Sequence, residues 1–467
     1  MPFHRSILGS VLLLAGPIFR LTLGNKDVVV LNRGAKADEL LSKRSAIYSS
    51  RPESIFAGKY ESQGRRLVLL PYGAGLKRQR AAFHQMLQTR AVGAYEHYQD
   101  AGSLKLLYEL WTRPDDVFLN VHCFAASLVF RLTYGRAPEE GDKDLKEVVE
   151  VNDNFVLQVP TGAHLVDALP ILDWLPDWMS PWRAKALRMH EREMKLYQRL
   201  AGEVKGRLDA EDSECFAARL WEQQQKLELD DMSVAYLGGT AFEAGTGTTS
   251  DSILWFLAAV LLNPASIKPA QAELDIVVGD HLPTFGDFEA LSYCTCMTKE
   301  LLRWAPVVPG GIAHVLEKDD DFEGYSLKKD TILLPNIWGM HHDEELFPNA
   351  EKFDPTRFMR TDPQSLKTFD TLSEGGGGGC GHWAFGFGRR ICPGRHLAAK
   401  SVWLAITRIA WAFDILPVLD TQGNPILPDR GKCTSGLSVT PERFPVKLVP
   451  RSPARVDTVR RLYEDTC

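Results

Sequence analysis

Cys392 lies in the run Phe385-Gly386-Phe387-Gly388-Arg389-Arg390-Ile391-Cys392-Pro393-Gly394, where one thiol is framed by glycines and follows an arginine by two residues. From Arg395 onward, the apolar spacing of Leu397, Ala398, Ala399, Val402, Trp403, Ala405 and Ile406 predicts a long buried helix. The thiol thus stands just ahead of a helix N-terminus, where free N–H groups and partial positive charge favour thiolate over thiol. A thiolate in a glycine-rich turn suits axial ligation of haem iron, where it pushes electron density toward a bound O–O bond. For a lone cysteine the competing reading is a buried structural thiol, and the other seven cysteines are read that way. Cys294-x-Cys296 has no second ligand pair and Cys380-x-His382 is isolated, so zinc is not expected. The scattered cysteine spacing gives no disulfide framework, which suits a reducing compartment.

Three further sets of residues could do chemistry with that thiol. Cys294 to Trp304 reads as a helix ended by Pro306, and Glu300 and Arg303 fall on one face of it, three residues apart. A second helix is predicted from about Met232 to Leu262, bounded by Asp231 and Pro264. Its middle, Ala244-Gly245-Thr246-Gly247-Thr248-Thr249, breaks the apolar pattern at a cost of about 1 kcal/mol per glycine. Local violations of this kind mark functional positions: small residues let a helix pass close over a flat group, and a threonine can back-bond to the preceding turn. Glu243 and Asp251 flank this stretch on roughly the same helix face. The third set is basic: Arg80 in Tyr72-Gly73-Ala74-Gly75-Leu76-Lys77-Arg78-Gln79-Arg80, Arg390 before the thiol, and His314 after the Pro306–Pro309 segment.

In its fixed positions, F-x-x-G-x-R-x-C-x-G, the cysteine loop resembles the haem-ligand loop of the cytochrome P450 family. The family's E-x-x-R motif is matched by Glu300 and Arg303, and its oxygen-activation motif A-G-x-[D/E]-T-[T/S] by residues 244–249. The resemblance implies haem b as cofactor, with Cys392 as thiolate ligand, Phe385 and Gly394 in its loop, and Arg390, Arg80 and His314 on the propionates. It makes Thr248 the alcohol that organises protons, but Gly247 stands at the acid position and Leu76 replaces the tryptophan of W-x-x-x-R. Glycine cannot relay a proton, so Glu243 or Asp251 acting through water is the candidate substitute; the alternative has both facing solvent or a neighbouring loop. The family's buried triad is completed by Arg357 in Phe353-Asp354-Pro355-Thr356-Arg357-Phe358. Pro441-Glu442-Arg443-Phe444 spells the commoner signature but follows Cys392, and is rejected on order.

The resemblance further implies a mainly α, roughly triangular domain with a small β region built from N- and C-terminal segments. The implied activity is insertion of one oxygen atom from O2 into a lipophilic small molecule, in the manner of fungal secondary-metabolism enzymes. No Gly-rich dinucleotide fingerprint is present, so electrons are expected from an NADPH-cytochrome P450 reductase. Lys77, Arg78, Arg389, Arg395 and Lys400 form a candidate basic docking face for that partner. A haem-thiolate isomerase, dehydratase or peroxygenase, or a non-catalytic haem protein, stays open as an alternative because of Gly247.

The remainder of the 467-residue chain bounds these readings. A hydrophobic content of 45% and charged content of 24% are those of a globular core, and a net charge of -6 argues against nucleic acid as main partner. No linker or repeat divides the chain, so residues 19–467 are taken as one catalytic domain behind a short apolar segment, 1–18. The apolar run Ile7 to Ala15 would span roughly 14 Å as a helix, about half a hydrocarbon core. The endoplasmic-reticulum membrane location that the resemblance implies is therefore expected without a full-length anchor, and a cytosolic or peripheral location stays open. Phe19 to Leu23 and Val28 to Leu31 read as strands, and residues 375–379 as a glycine loop.

Overall fold

The computed structural model describes residues 16–23, 26–138, 141–159, 163–208, 215–360, 365–374 and 381–466. The apolar run 7–15, the glycine run 375–379 and Cys380 lie outside the described residues. The protein is 60% helical, and its helices wrap one long central rod, α6 (Asp231–Leu262). The Asp230 side chain caps that rod by accepting from Ser233 N at 2.7 Å, and Asn263-Pro264 ends it. Apolar residues occur all round α6 because helices cover it on every side. It packs on α3 (Val117–Tyr134), α4 (Lys143–Gln158), α5 (Pro181–Lys205), α7 (Ser292–Trp304) and α8 (Arg395–Ala412). Helix α3 alone among the single helices is long and apolar enough to cross a membrane, among the described residues, yet 67% of its apolar window is buried inside the protein.

The small β region draws on N-terminal and C-terminal segments, as expected, in separate sheets. Strands β1 (Ile18–Leu23) and β2 (Lys26–Leu31) pair antiparallel, and β2 then runs parallel to β4 (Ile332–Pro335), with Val28 opposite Ile332. Strand β3 (His314–Val315) closes this sheet antiparallel to β4. The C-terminal strands β5 (Phe413–Leu419) and β6 (Val446–Pro450) form a separate sheet with residues 425–426. The first sheet brings His314 beside the N-terminal segment; the second ties the end of α8 to the chain's C-terminal part.

Two more helices complete the frame around the cysteine loop: α1 (Ala74–Leu87), which carries Arg80, and α2 (Glu96–Thr112). At the chain's end α9 (Pro453–Thr466) lies on α2, with Tyr463 stacked on Tyr108 at 4.0 Å. Arg455 donates to Asp275 at 2.7 Å and to Trp411 O at 2.8 Å, so α9 staples the far end of the helix that begins beside Cys392.

Candidate active site

Tight backbone geometry fixes the cysteine loop. Cys392 N donates to Phe385 O at 2.8 Å, closing the loop on itself. Gly388 has φ +46°, and a Cβ there would lie 2.2 Å from Leu41 O, so only glycine lets the loop press against residues 41–42. Helix α8 starts at Arg395 as expected, and Gly394 stands at its cap. Burial pushes the pKa of the Cys392 thiol up, and the Gly394 N–H, Arg80 and Arg395 offset this only in part. Without a metal Cys392 is held as a thiol; a coordinated cation is what would deprotonate it.

Behind the loop, Glu300 and Arg303 are fully buried. Arg303 donates twice to the Glu300 carboxylate, at 2.7 and 2.8 Å, and also to His341 O and Ala350 O. Arg357 Nε reaches the same carboxylate at 3.0 Å, as does Asp354 N at 2.8 Å. The order-based choice of Arg357 is therefore the arrangement in the fold, while Arg443 lies exposed elsewhere.

The basic residues converge with one addition. Arg390 donates to Ser49 O at 2.6 Å and Leu70 O at 2.5 Å; burial, then Arg80, lowers its pKa to about 10. Arg80 donates to Ile391 O at 3.0 Å, and burial lowers its pKa too. The residue the sequence reading missed is Arg51, whose Nη1 donates to Ile312 O and Ala313 O while its buried Nε has no partner. Burial and the charges of Arg390 and Arg80 push its pKa well down. Among the described residues no carboxylate is in ion-pair reach of these three guanidiniums. Two buried guanidiniums and a half-buried one, with only Glu317 acting on Arg390 from beyond ion-pair distance, are costly, and a dicarboxylate is what the cradle fits.

His314 sits beside Arg51 and Arg390; burial, then Arg51, holds its pKa well below the usual imidazole value, and its Nδ1 donates to Tyr48 O at 2.7 Å. Leu76, at the tryptophan position, is buried.

On α6 the middle turns are the least covered part of a buried helix: Ala244 is exposed, and Gly245, Gly247 and Thr248 are half-buried. Thr248 Oγ1 donates to Ala244 O at 2.8 Å, the expected back-bond, and Thr246, Ser250 and Ser252 make similar ones. The two glycines differ in purpose. A Cβ at Gly245 would meet Val129 of α3 at 2.9 Å, so that glycine serves helix packing. At Gly247 the nearest atom is Asn152 Nδ2 of α4, 3.8 Å from the Cβ position, so this glycine leaves open space.

Neither flanking carboxylate faces solvent. Glu243 accepts from Arg66 at 2.7 Å and from the Tyr197 hydroxyl, inside a closed cluster with Glu61, Glu193 and Tyr236. Burial raises it to about 7, opposed by Arg66, and raises Glu61 to about 9 with Glu193 adding to the effect. Three carboxylates around one arginine must share protons. Glu243 is thus tied into a structural knot that spans residues 55–66, α5 and α6.

Outside the loop, an open groove of about 720 Å³ is lined by Lys77, Arg80, Arg389, Arg395 and His396, with no carboxylate in its lining. The expected basic face is smaller than five residues. Lys400 is buried and paired with Glu96, and Arg78 is paired with Glu228 at 3.4 Å, so neither belongs to it.

The sequence profile described as Cytochrome P450 matches residues 14–448. This chain belongs to the cytochrome P450 family. It is similar to "Cytochrome P450 monooxygenase fogE" of Aspergillus ruber, 33% identical over 96% of this chain and 83% of that protein. Similarity to "Cytochrome P450 monooxygenase virE" of Hypocrea virens is also 33%, over 96% and 82% of the two chains. A zebra fish cytochrome P450 solved with progesterone superposes with a TM-score of 0.78 at 24% identity, covering 95% of this chain and 99% of that one. The P450 fold and the class of monooxygenase follow from these likenesses, as does haem b held through a cysteine thiolate. The profile ends before α9.

Proposed function

We propose that this P450 inserts one oxygen atom into a lipophilic small molecule of fungal secondary metabolism, with electrons from an NADPH-cytochrome P450 reductase. The observation that supports it most is the convergence of Arg51, Arg80 and Arg390 beside the Cys392 loop, with no carboxylate in ion-pair reach among the described residues. In this reading Cys392 is the thiolate ligand and the three arginines hold the propionates. When bound, the haem supplies reductive activation of O2. Thr248 orders water and protons at the open middle of α6, through an oxygen whose own proton is committed to Ala244 O. Glu300, Arg303 and Arg357 keep the loop's backing rigid.

Thr248→Ala removes the hydroxyl but little volume, so haem binding should persist. Product per NADPH should fall about 10-fold, with the electrons appearing as peroxide, because one positioned proton-transfer group contributes at least that much. An unchanged ratio would move the peroxygenase or isomerase reading ahead.

The carboxylate-free groove beside the loop supports docking of an acidic flavoprotein surface. Reduction by the reductase should therefore slow several-fold between low and physiological salt. Stopped-flow rates insensitive to ionic strength would remove the groove as the docking face.

A further inference from the structure

Helix α6 carries a second buried carboxylate, of a different kind from Glu243. Asp251 is 4% exposed, and its Oδ1 accepts from Thr440 Oγ1 at 2.7 Å. Among the described residues no lysine or arginine is in ion-pair reach of it. The elements packed around it bring one exposed carboxylate, Asp153 of α4, which in turn faces His122 of α3, and two hydroxyls, Thr440 and Ser438. Glu243 is neutralised by Arg66; Asp251 has only hydroxyl donors.

Its register matters as much as its burial. Asp251 is four residues after Gly247 and three after Thr248, so all three lie along neighbouring strips of one helix face, with Cβ spacing of about 5–6 Å per turn. At Gly247 the space is open and bordered by the Asn152 amide, next in sequence to Asp153. The Asn152 amide at the edge of that space gives a water molecule a polar partner.

We propose that Asp251 is the acid of this P450, passing protons to water in the Gly247–Asn152 gap held by the Thr248 oxygen. The proton leaves the Asp251 carboxyl for water held by the Thr248 oxygen, whose own proton stays committed to Ala244 O, and that water passes a proton on at the open middle of α6. The carboxylate then recovers a proton from bulk solvent past Asp153, and no electrons move in the relay. Burial pushes Asp251 up to about 7, Thr440 and Ser438 oppose this, and Asp153 adds to it, so the group exchanges protons at working pH. The proposal rests on the oxygen-activating reading above.

Two measurements test it. Infrared spectra of the haem-free protein should contain two buried carboxylic-acid bands that disappear as pH rises through about 7, one lost in Glu243→Gln and the other, that of Asp251, retained there. The Asp251 band should be absent in Asp251→Asn and should titrate at higher pH in Thr440→Val, which loses a donor to the carboxylate. In the holoenzyme with reductase, NADPH and O2, Asp251→Asn should oxidise NADPH roughly 100-fold more slowly, with an enlarged solvent deuterium isotope effect. Asp251→Glu should restore most of the rate. Wild-type rate and isotope effect in Asp251→Asn, or survival of both titrating bands in that variant, would overturn the proposal. If Thr248→Ala diverts electrons to peroxide while Asp251→Asn behaves as wild type, only the Asp251 relay fails. If Thr248→Ala has no effect, the oxygenase reading fails with it.

Discussion

Cys392→Ser should abolish the red-shifted absorption band of the reduced, carbon monoxide-bound protein while leaving the helical content unchanged. An alcohol is a far weaker donor to iron than a thiolate, and serine fits the loop because the fixing contact, Cys392 N to Phe385 O, is made by the backbone. The half-buried thiol ahead of α8 is pushed up in pKa, and a coordinating metal favours release of its proton. Proton release on haem addition should consequently be seen with wild type and lost with Cys392→Ser. Cys380→Ser should keep the band; the reverse pattern would overturn the assignment of the ligand.

The second large effect is expected at Arg303. Arg303→Ala leaves Glu300 without its bidentate partner and strands His341 O and Ala350 O, all in a dry site. Breaking a buried pair in this way costs about 3–5 kcal/mol, a large share of the stability of a folded chain. Purified protein should lose haem and melt well below wild type. Arg357→Ala should be milder, because Arg303 and Asp354 N still satisfy the carboxylate and the Arg357 side chain is 13% exposed. Arg443→Ala should be near neutral. A severity order other than Arg303, Arg357, Arg443 in thermal melts would contradict the network.

Much of this arrangement was legible in local spacing. The cysteine loop, the start of α8, the three-residue offset of Glu300 and Arg303 and the limits of α6 each depend on residues close in sequence. Periodicity, caps and turn chemistry act over that range. Arg357 was recoverable from the order of elements. Arg51 was not: a single arginine before a proline carries no local signal, and its meaning comes from Arg80 and Arg390, which are distant in sequence.

The proton-handling residues divide the same way. The sequence determined that Gly247 lacks a side chain and that Glu243 and Asp251 flank it on one helix face. Only the tertiary structure distinguishes their surroundings. Arg66 and Tyr197 arrive from distant segments to pin Glu243, whereas Asp251 meets hydroxyls and the exposed Asp153 but no cation. The same holds for Gly245 and Gly247, alike in sequence but facing Val129 and open space respectively. A residue's type and helical phase are local properties, but its charge compensation and free volume depend on what the rest of the chain packs against it.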